Sequence, residues 1–457
     1  MYNVVIKADA RPQKVTIFYI LLGGNYMKNK ILVSFLSIAM IGTGLIGCSS
    51  GESDSSKGDS TQISIECGFS GTQLEEFQSI VDRFTEETGI NVQIITDGSD
   101  YEATMKTKMA SNDLPDIWLT HGWSVMRYSE YLMPLQDEDW YDKIDESILG
   151  AITDDEGNIY VLPVTEAVTG FMYNKDVMDQ AGVDVTQIRT WDDFTEALAT
   201  IKENLPDVTP LYMSCNQSGV NSYLLENMWP SFWTNEDVEN NQAEALKDGS
   251  FDWSNAVPIF ELIADWAEAG DFNVDAVTAG ATDAQQALGN GECGFLTFTT
   301  EYITSALTYN PDANLGVMPV PASSENGKSY FGVGEGNGGC FGIYKDTKHE
   351  EECKQFLSYM AEPENAKQLA EKVDGGIPAL SDTVLEDAYV QNAFKEAQEA
   401  WADDLTYDNF FDRVYLPSGM WDVMGNAMTQ FFDGNNCREN IDGAVELLET
   451  NYKELMQ

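Results

Sequence analysis

The thiol of Cys48 has the most sharply defined chemical surroundings in this chain. It follows Leu45-Ile46-Gly47, closes an apolar run over residues 31–46 that lies behind Lys28 and Lys30, and precedes a stretch rich in Ser, Gly and Asp. A charged start, a short apolar segment and a small residue before a cut are the parts of an export signal. A cysteine placed first after that cut can carry a diacylglyceryl group on its sulfur. Two acyl chains hold a protein on a membrane where one binds only reversibly. The apolar run is shorter than the ~20 residues a membrane span needs, which disfavours a transmembrane helix ending in a chance cysteine.

Other motifs support less chemistry. Gly334-Glu335-Gly336-Asn337-Gly338-Gly339 has the spacing of a dinucleotide-binding loop, but such a loop needs a helix opening at its end. Residues 340–344 read as a strand, so these glycines are expected to form a flexible crossing segment or a close backbone approach, and no cofactor is expected. No HExxH or P-loop sequence occurs. Asp137, Asp139, Asp142 and Asp145 lack the glycine and the spacing of a calcium loop and read as a solvated turn. His121 and His349 are too few and too isolated for a metal site. No catalytic residue is assigned, although the paired carboxylates of a glycoside hydrolase stay open as a reading. A chain this acidic offers many pairs, and spacing in sequence says nothing of separation in space.

The aromatic residues are more telling. Trp123, Trp229, Trp233, Tyr302, Trp401 and Trp421 all fall at or near the ends of predicted elements. Rings at the rim of a cleft stack on apolar ligand faces, and carboxylates or amides beside them supply hydrogen bonds. Taken singly, each tryptophan reads more readily as core or hinge packing. Trp266, on one apolar face with Ile259 and Ile263, reads as core, as does Trp191 at a helix start.

The elements that must position these residues follow from composition and periodicity. The chain carries 25 basic against 76 acidic residues, a formal net charge of −51. Residues 1–47 hold five of the basic groups and one of the acidic, which leaves 20 against 75, or −55, for the remainder. Such a surface repels phosphate backbones and anionic headgroups, so nucleic acid is excluded as a partner and membrane attachment must come from lipid. Residues 1–47 are read as an upstream extension plus a lipoprotein signal peptide, with Met27 the expected true start, and residues 48–60 as a flexible tether. The rest exceeds what one core holds, so two lobes are expected. Cys67, Cys215, Cys293, Cys340, Cys353 and Cys437 are scattered without a CxxC. They read as mostly free, buried thiols, with one or two bridges left open.

From Ile63 the chain alternates strand and helix. Ile63 and Ile65 mark a strand, Leu74, Phe77, Ile80, Val81 and Phe84 a helix stopped at Gly89, Val92 and Ile94 a second strand, residues 101–110 a second helix, and residues 116–119 a third strand. That is the grammar of an α/β lobe with a largely parallel sheet. Thr190-Trp191-Asp192-Asp193 has the form of a capping box, Glu362-Pro363 opens a helix, and Gly270 and Gly434 are expected as C-terminal caps.

Several segments, taken in order, resemble the extracellular solute-binding proteins of ABC importers, in particular the sugar-binding family that includes the maltodextrin-binding protein. They are Phe84-Thr85-Glu86-Glu87-Thr88-Gly89-Ile90-Asn91-Val92, Leu114-Pro115-Asp116-Ile117, Leu162-Pro163-Val164-Thr165-Glu166-Ala167, Tyr173-Asn174-Lys175-Asp176, Thr190-Trp191-Asp192-Asp193-Phe194 and Leu315-Gly316-Val317-Met318-Pro319-Val320-Pro321. The resemblance implies a two-lobed periplasmic-binding-protein-like fold, with discontinuous lobes joined by crossing strands near residues 163–166, 317–321 and 380–386. The N-lobe would comprise residues 61–165 and 319–385, and the C-lobe residues 166–318 and 386–457. It further implies a monomer that closes on a carbohydrate and presents it to ABC permease subunits at the outer face of the cell membrane, without catalysis.

The same resemblance carries over ligand residues. Glu166 stands where the maltodextrin-binding protein has a sugar-bonding glutamate. His121 and Trp123 fall on a loop that supplies polar and aromatic contacts there, with the tryptophan offset by a few positions. Asn216 and Gln217 are amides near a loop that carries an acid in that protein, and Tyr302, preceded by Glu301, replaces a stacking tryptophan. Trp421, after Pro417-Ser418-Gly419, resembles the last stacking tryptophan. These changes disfavour maltodextrin itself and leave carbohydrate as the class. A polyamine or peptide on the same scaffold, and a lipid-anchored hydrolase, are the competing readings.

The anchoring chemistry rests on one sulfur atom. Cys48→Ser is expected to yield protein without acyl groups, either uncleaved or released from the membrane. An unmodified Cys48 in mass spectra of the wild-type protein would overturn lipid anchoring.

Overall fold

A computed structural model describes residues 61–456, apart from 98–100, 121–127, 155, 217–219, 235–240, 325–326, 337–338, 375 and 387. Cys48, His121, Trp123 and Gln217 therefore lie outside the described residues.

The first half of the chain builds a five-stranded sheet. Strands β1 (Gln62–Cys67), β2 (Asn91–Thr96) and β3 (Ile117–Thr120) run parallel, joined by the helices Gly71–Thr88 and Tyr101–Ser111. The first helix buries Phe77, Ile80, Val81 and Phe84, the stripe read from the sequence, and ends on Gly89 in the left-handed conformation. Strand β4 (Val161–Pro163) belongs to the same sheet but reaches it only through β10 (Cys340–Ile343), giving the order β2-β1-β3-β10-β4.

The second sheet is organised around β5 (Thr165–Asn174), a ten-residue strand buried along almost its whole length. Strands β6 (Thr209–Tyr212), β7 (Cys293–Thr299), β8 (Leu315–Met318), β9 (Ser329–Glu335), β11 (Ile377–Pro378) and β12 (Leu405–Asn409) complete it. The principal order is β12-β9-β5-β7-β6, with β8 and β11 also paired to β5. Helix Trp191–Asn204 covers part of this sheet and begins in the expected capping box, Thr190 and Asp193 each satisfying the other's backbone N–H. Helix Val257–Ala269 ends on Gly270 as expected. Helix Met420–Phe432 instead ends at Asp433, and Gly434 takes the left-handed conformation in the turn beyond it. All six described cysteines are buried and unbridged. Trp229, Trp233 and Trp401 are core residues, each at most 2% exposed, and so are Trp191 and Trp266.

The chain passes between the sheets at adjacent places. The first passage is Val164, between β4 and β5. The second differs from expectation. Residues 315–321 do not cross, because Leu315–Met318 pairs with β5 and Val320 bridges to Tyr330, both within the second sheet. The return runs instead through the glycine-rich stretch between β9 and β10. Its described ends are bonded to the first passage, the N–H of Gly336 to the carbonyl of Thr165 at 2.9 Å and the N–H of Val164 to the carbonyl of Gly339 at 3.5 Å. Gly339 has φ +66°, and a Cβ there would lie 2.9 Å from the Thr120 carbonyl oxygen, so an L side chain is opposed by both backbone conformation and space. A third segment, β11, lies along Thr165 and Glu166, and Ala379 donates to the Val164 carbonyl at 3.1 Å. Past Leu380, which bridges to Ile144, the chain returns to the second sheet, where the Tyr389 hydroxyl accepts the N–H of Leu315.

Glu166 sits at this junction, 2% exposed. Ser147, in the helix Glu146–Ile152, donates to its carboxyl at 2.5 Å. Burial, reinforced by the nearby charge of Asp145, pushes the carboxyl up to about 8. The folded chain thus holds a proton on Glu166 that the unfolded chain releases near pH 4.5. Stability contributed by the neutral acid is complete below that pH and is lost as pH rises toward 8. Glu166→Gln, which keeps the shape without the ionisation, should remove this part of the decline, an effect of order a few kcal/mol between pH 5 and 8. Parallel stability profiles for the two proteins in urea would contradict the assignment.

Candidate functional site

The ends of β7 and β9 and the start of β5 meet beside the crossings, and aromatic residues gather there. Phe298, the penultimate residue of β7, stacks on Tyr302 of the following helix with ring centroids 3.6 Å apart, and meets Tyr223 at 4.3 Å. Tyr223 in turn meets Trp421 edge-on at 4.9 Å. Four rings from three chain segments distant in sequence thus form one continuous row, each contact in the tilted, stacked or edge-to-face geometry that the ring quadrupole favours. Trp421, Tyr223 and Phe298 are partly exposed. Tyr302 is buried behind Phe298, so it backs the row rather than fronting it.

Each ring is fixed by local structure. Tyr302 lies in the first turn of the helix Glu301–Tyr309, immediately after β7. Trp421 lies in the first turn of the helix Met420–Phe432, whose N-cap Gly419 has φ +102°. Ser222 donates its hydroxyl hydrogen to the Trp421 carbonyl at 2.9 Å, and Asn221 donates to the Gly425 carbonyl at 2.6 Å. The loop after β6 and the start of the Trp421 helix are therefore tied together by side chains that precede Tyr223.

A polar rim accompanies the row. The Arg413 guanidinium lies 5.9 Å from the Trp421 ring centroid and its Nε is 3.4 Å from Asp412 Oδ1. Glu301 follows β7 directly, its carboxylate accepting from the Thr299 hydroxyl at 3.5 Å. Asn216, after β6, is exposed, with its backbone N–H on the Ala279 carbonyl. Phe410 packs over β9, where a Cβ on Gly334 would fall 2.8 Å from its ring. Gly334 is therefore a close backbone approach, as the glycine stretch implied.

Among the described candidates, the structure brings Trp421 and Glu301 to one surface with Tyr302 buried behind it, and places Asn216 on the loop leading to it. Glu166 is not part of that surface, since its carboxyl is enclosed at the crossing with Ser147 as its hydrogen-bond donor. Sequence reasoning missed Tyr223, Phe298, Phe410 and Arg413. The first three carry no motif and become visible only through their ring contacts. Arg413 carried a signal, being one of few cations in a strongly acidic chain and set directly beside an aspartate.

Comparison with known proteins places this geometry in a family. Residues 70–367 match the family model described as bacterial extracellular solute-binding protein. The melibiose/raffinose/stachyose-binding protein MelE of Bacillus subtilis (strain 168) is 30% identical over 398 residues, covering 86% of this chain and 90% of that protein. Among solved structures, the Bacillus subtilis binding protein MsmE in an open conformation superposes with a TM-score of 0.77 at 27% identity, covering 87% of this chain and 98% of that one. A sugar transporter protein of Bacillus licheniformis in complex with stachyose gives 0.67 at 30% identity, covering 86% and 100%. The two sheets joined by adjacent crossings are the two lobes of that fold, and the chain belongs to the bacterial extracellular solute-binding protein family.

Proposed function

We propose that this chain is a lipid-anchored extracellular receptor that binds a neutral oligosaccharide in the cleft between its lobes and delivers it to the permease subunits of an ABC importer. The observation that carries the reading is the row Trp421, Tyr223, Phe298 and Tyr302 beside the crossings, with Arg413 and Glu301 at its rim. Pyranose rings have an apolar face and a girdle of hydroxyls, and a partly exposed aromatic row with charged hydrogen-bonding groups beside it matches both. The ligands named for MelE and for the Bacillus licheniformis structure, raffinose and stachyose among them, make α-galactosides the first sugars to test.

In this reading Trp421 and Phe298 are the stacking surfaces, with Tyr302 behind. Glu301, Asn216 and Gln217 contribute from one lobe and His121 and Trp123 from the other. The lobes divide at the crossings, residues 61–163 and 340–376 forming one and residues 165–335 and 389–456 the other, with β11 paired to β5 of the second. Glu166 acts at their junction rather than on the sugar. The receptor works as a monomer, and its chemistry is binding without turnover.

Calorimetry of residues 61–457 with raffinose, stachyose and spermidine tests the class. Sugar binding with no response to spermidine is expected, and the reverse would move the reading to a polyamine. Trp421→Ala should weaken sugar binding roughly tenfold or more, since an aromatic contact contributes ~1 kcal/mol beyond the area it buries. Its fold should be intact by circular dichroism. Undiminished affinity would remove Trp421 from the site. Reducing sugar released over hours, and lost when one carboxylate is replaced, would favour a hydrolase.

A further inference from the structure

Trp421 and the 410–413 segment both dock on one helical turn that lies about 190 residues earlier in the chain. Ser222, Tyr223 and Glu226 stand at the start of the helix Tyr223–Trp233, with Ser222 and Glu226 on one face a turn apart. Ser222 and Tyr223 hold Trp421 through its carbonyl and its ring. Glu226 holds the other segment. Its carboxyl oxygens accept the backbone N–H of Asp412 at 3.2 and 3.4 Å, and the N–H of Phe411 adds to the same interaction.

These amides open the short helix Phe411–Tyr415, whose own N-cap, Phe410, offers no side-chain hydrogen bond. They need an acceptor, and one reaches them from the helix that also holds Trp421. The segment so fixed carries Phe410, seated over Gly332 and Gly334, and Arg413, set over the Trp421 ring.

Glu226 is 3% exposed in a helix that also buries Leu224, Leu225, Met228, Trp229 and Trp233, together with Asn227, whose amide is bonded to Thr297. A leucine there would bury apolar surface without the cost of enclosing a carboxyl group. Core packing alone therefore does not account for the acid.

We infer that Glu226 is a positioning residue for the binding surface, holding the 410–413 segment so that Phe410 and Arg413 face the ligand beside Trp421. The inference rests on the proposed cleft reading and names the group that assembles the cleft from its separate segments. Asp412 and Arg413 face Glu226 from the docked segment, Tyr223 from its own helix and Tyr330 from β9. Burial, and the charge of Asp412 next, hold the carboxyl well above its usual range.

Stachyose and raffinose binding to wild type, Glu226→Gln and Glu226→Leu is measured by calorimetry, and all three proteins are crystallised. Glu226→Gln keeps an acceptor for the Asp412 amide and is expected to bind within about twofold of wild type. Glu226→Leu, which leaves the amides without an acceptor, should lose roughly tenfold or more in affinity and show the 410–413 segment displaced. Wild-type affinity in Glu226→Leu, or Arg413 still over Trp421 in its crystal structure, would overturn the inference. If Glu226→Leu does not fold, wild-type affinity in Glu226→Gln with the Asp412 N–H no longer bonded to residue 226 in its crystal structure would overturn it. If wild type takes neither sugar, the α-galactoside reading falls, and the position of Arg413 in the variant crystals still decides the role of Glu226.

Discussion

Backbone pairing along β5 is the constraint on which the two-lobed arrangement depends. The strand begins directly after the first crossing and is paired along both edges, with each edge handed from one partner to another. One edge bears β9 beside residues 166–169 and then β8 beside residues 171–174. The other bears β11 beside residues 165–166 and then β7 beside residues 169–173. A strand saturated in this way cannot slide, because a slip of one residue would send its buried side chains to the wrong face. The positions of the crossing, of Glu166 and of the end of β7 all follow from that fixed register.

The glycines of residues 332–339 serve two purposes in one stretch of chain. Gly332 and Gly334 keep the surface of β9 flat enough for Phe410 to lie on it, and Gly336 and Gly339 carry the backbone back to the first sheet. The residues that shape the floor beside the aromatic row therefore run straight into the crossing. The crossing and the aromatic row are thus joined by a few residues of covalent chain.

The elements were legible where periodicity and punctuation agree. The helix Gly71–Thr88 and its glycine stop, the capping box at Thr190, and the core positions of Trp191 and Trp266 follow from local sequence. The second crossing was misplaced for a physical reason. Residues 315–321 have the apolar, proline-bounded look of a strand leaving one lobe, but nothing local distinguishes such a strand from one that turns back along β5. At the aromatic row, Trp421 was marked by the segment before it, whereas Tyr223, Phe298 and Phe410 acquire meaning only from partners far away in the chain. Glu166 stands in a recognisable motif, yet its burial depends on Ser147 and β11, which the motif does not contain.

The placement of β10 between β3 and β4 has a consequence for when this protein can fold. Strand β4 reaches its sheet only through β10, which lies nearly two hundred residues later in the chain. Until that later segment arrives, the first sheet lacks its antiparallel strand and Val161–Pro163 has no neighbour there. Contacts so distant in sequence impose a large loop-closure cost before they return any stabilisation, which slows folding. A nascent chain of this design cannot complete its first sheet until residues 340–343 have been made.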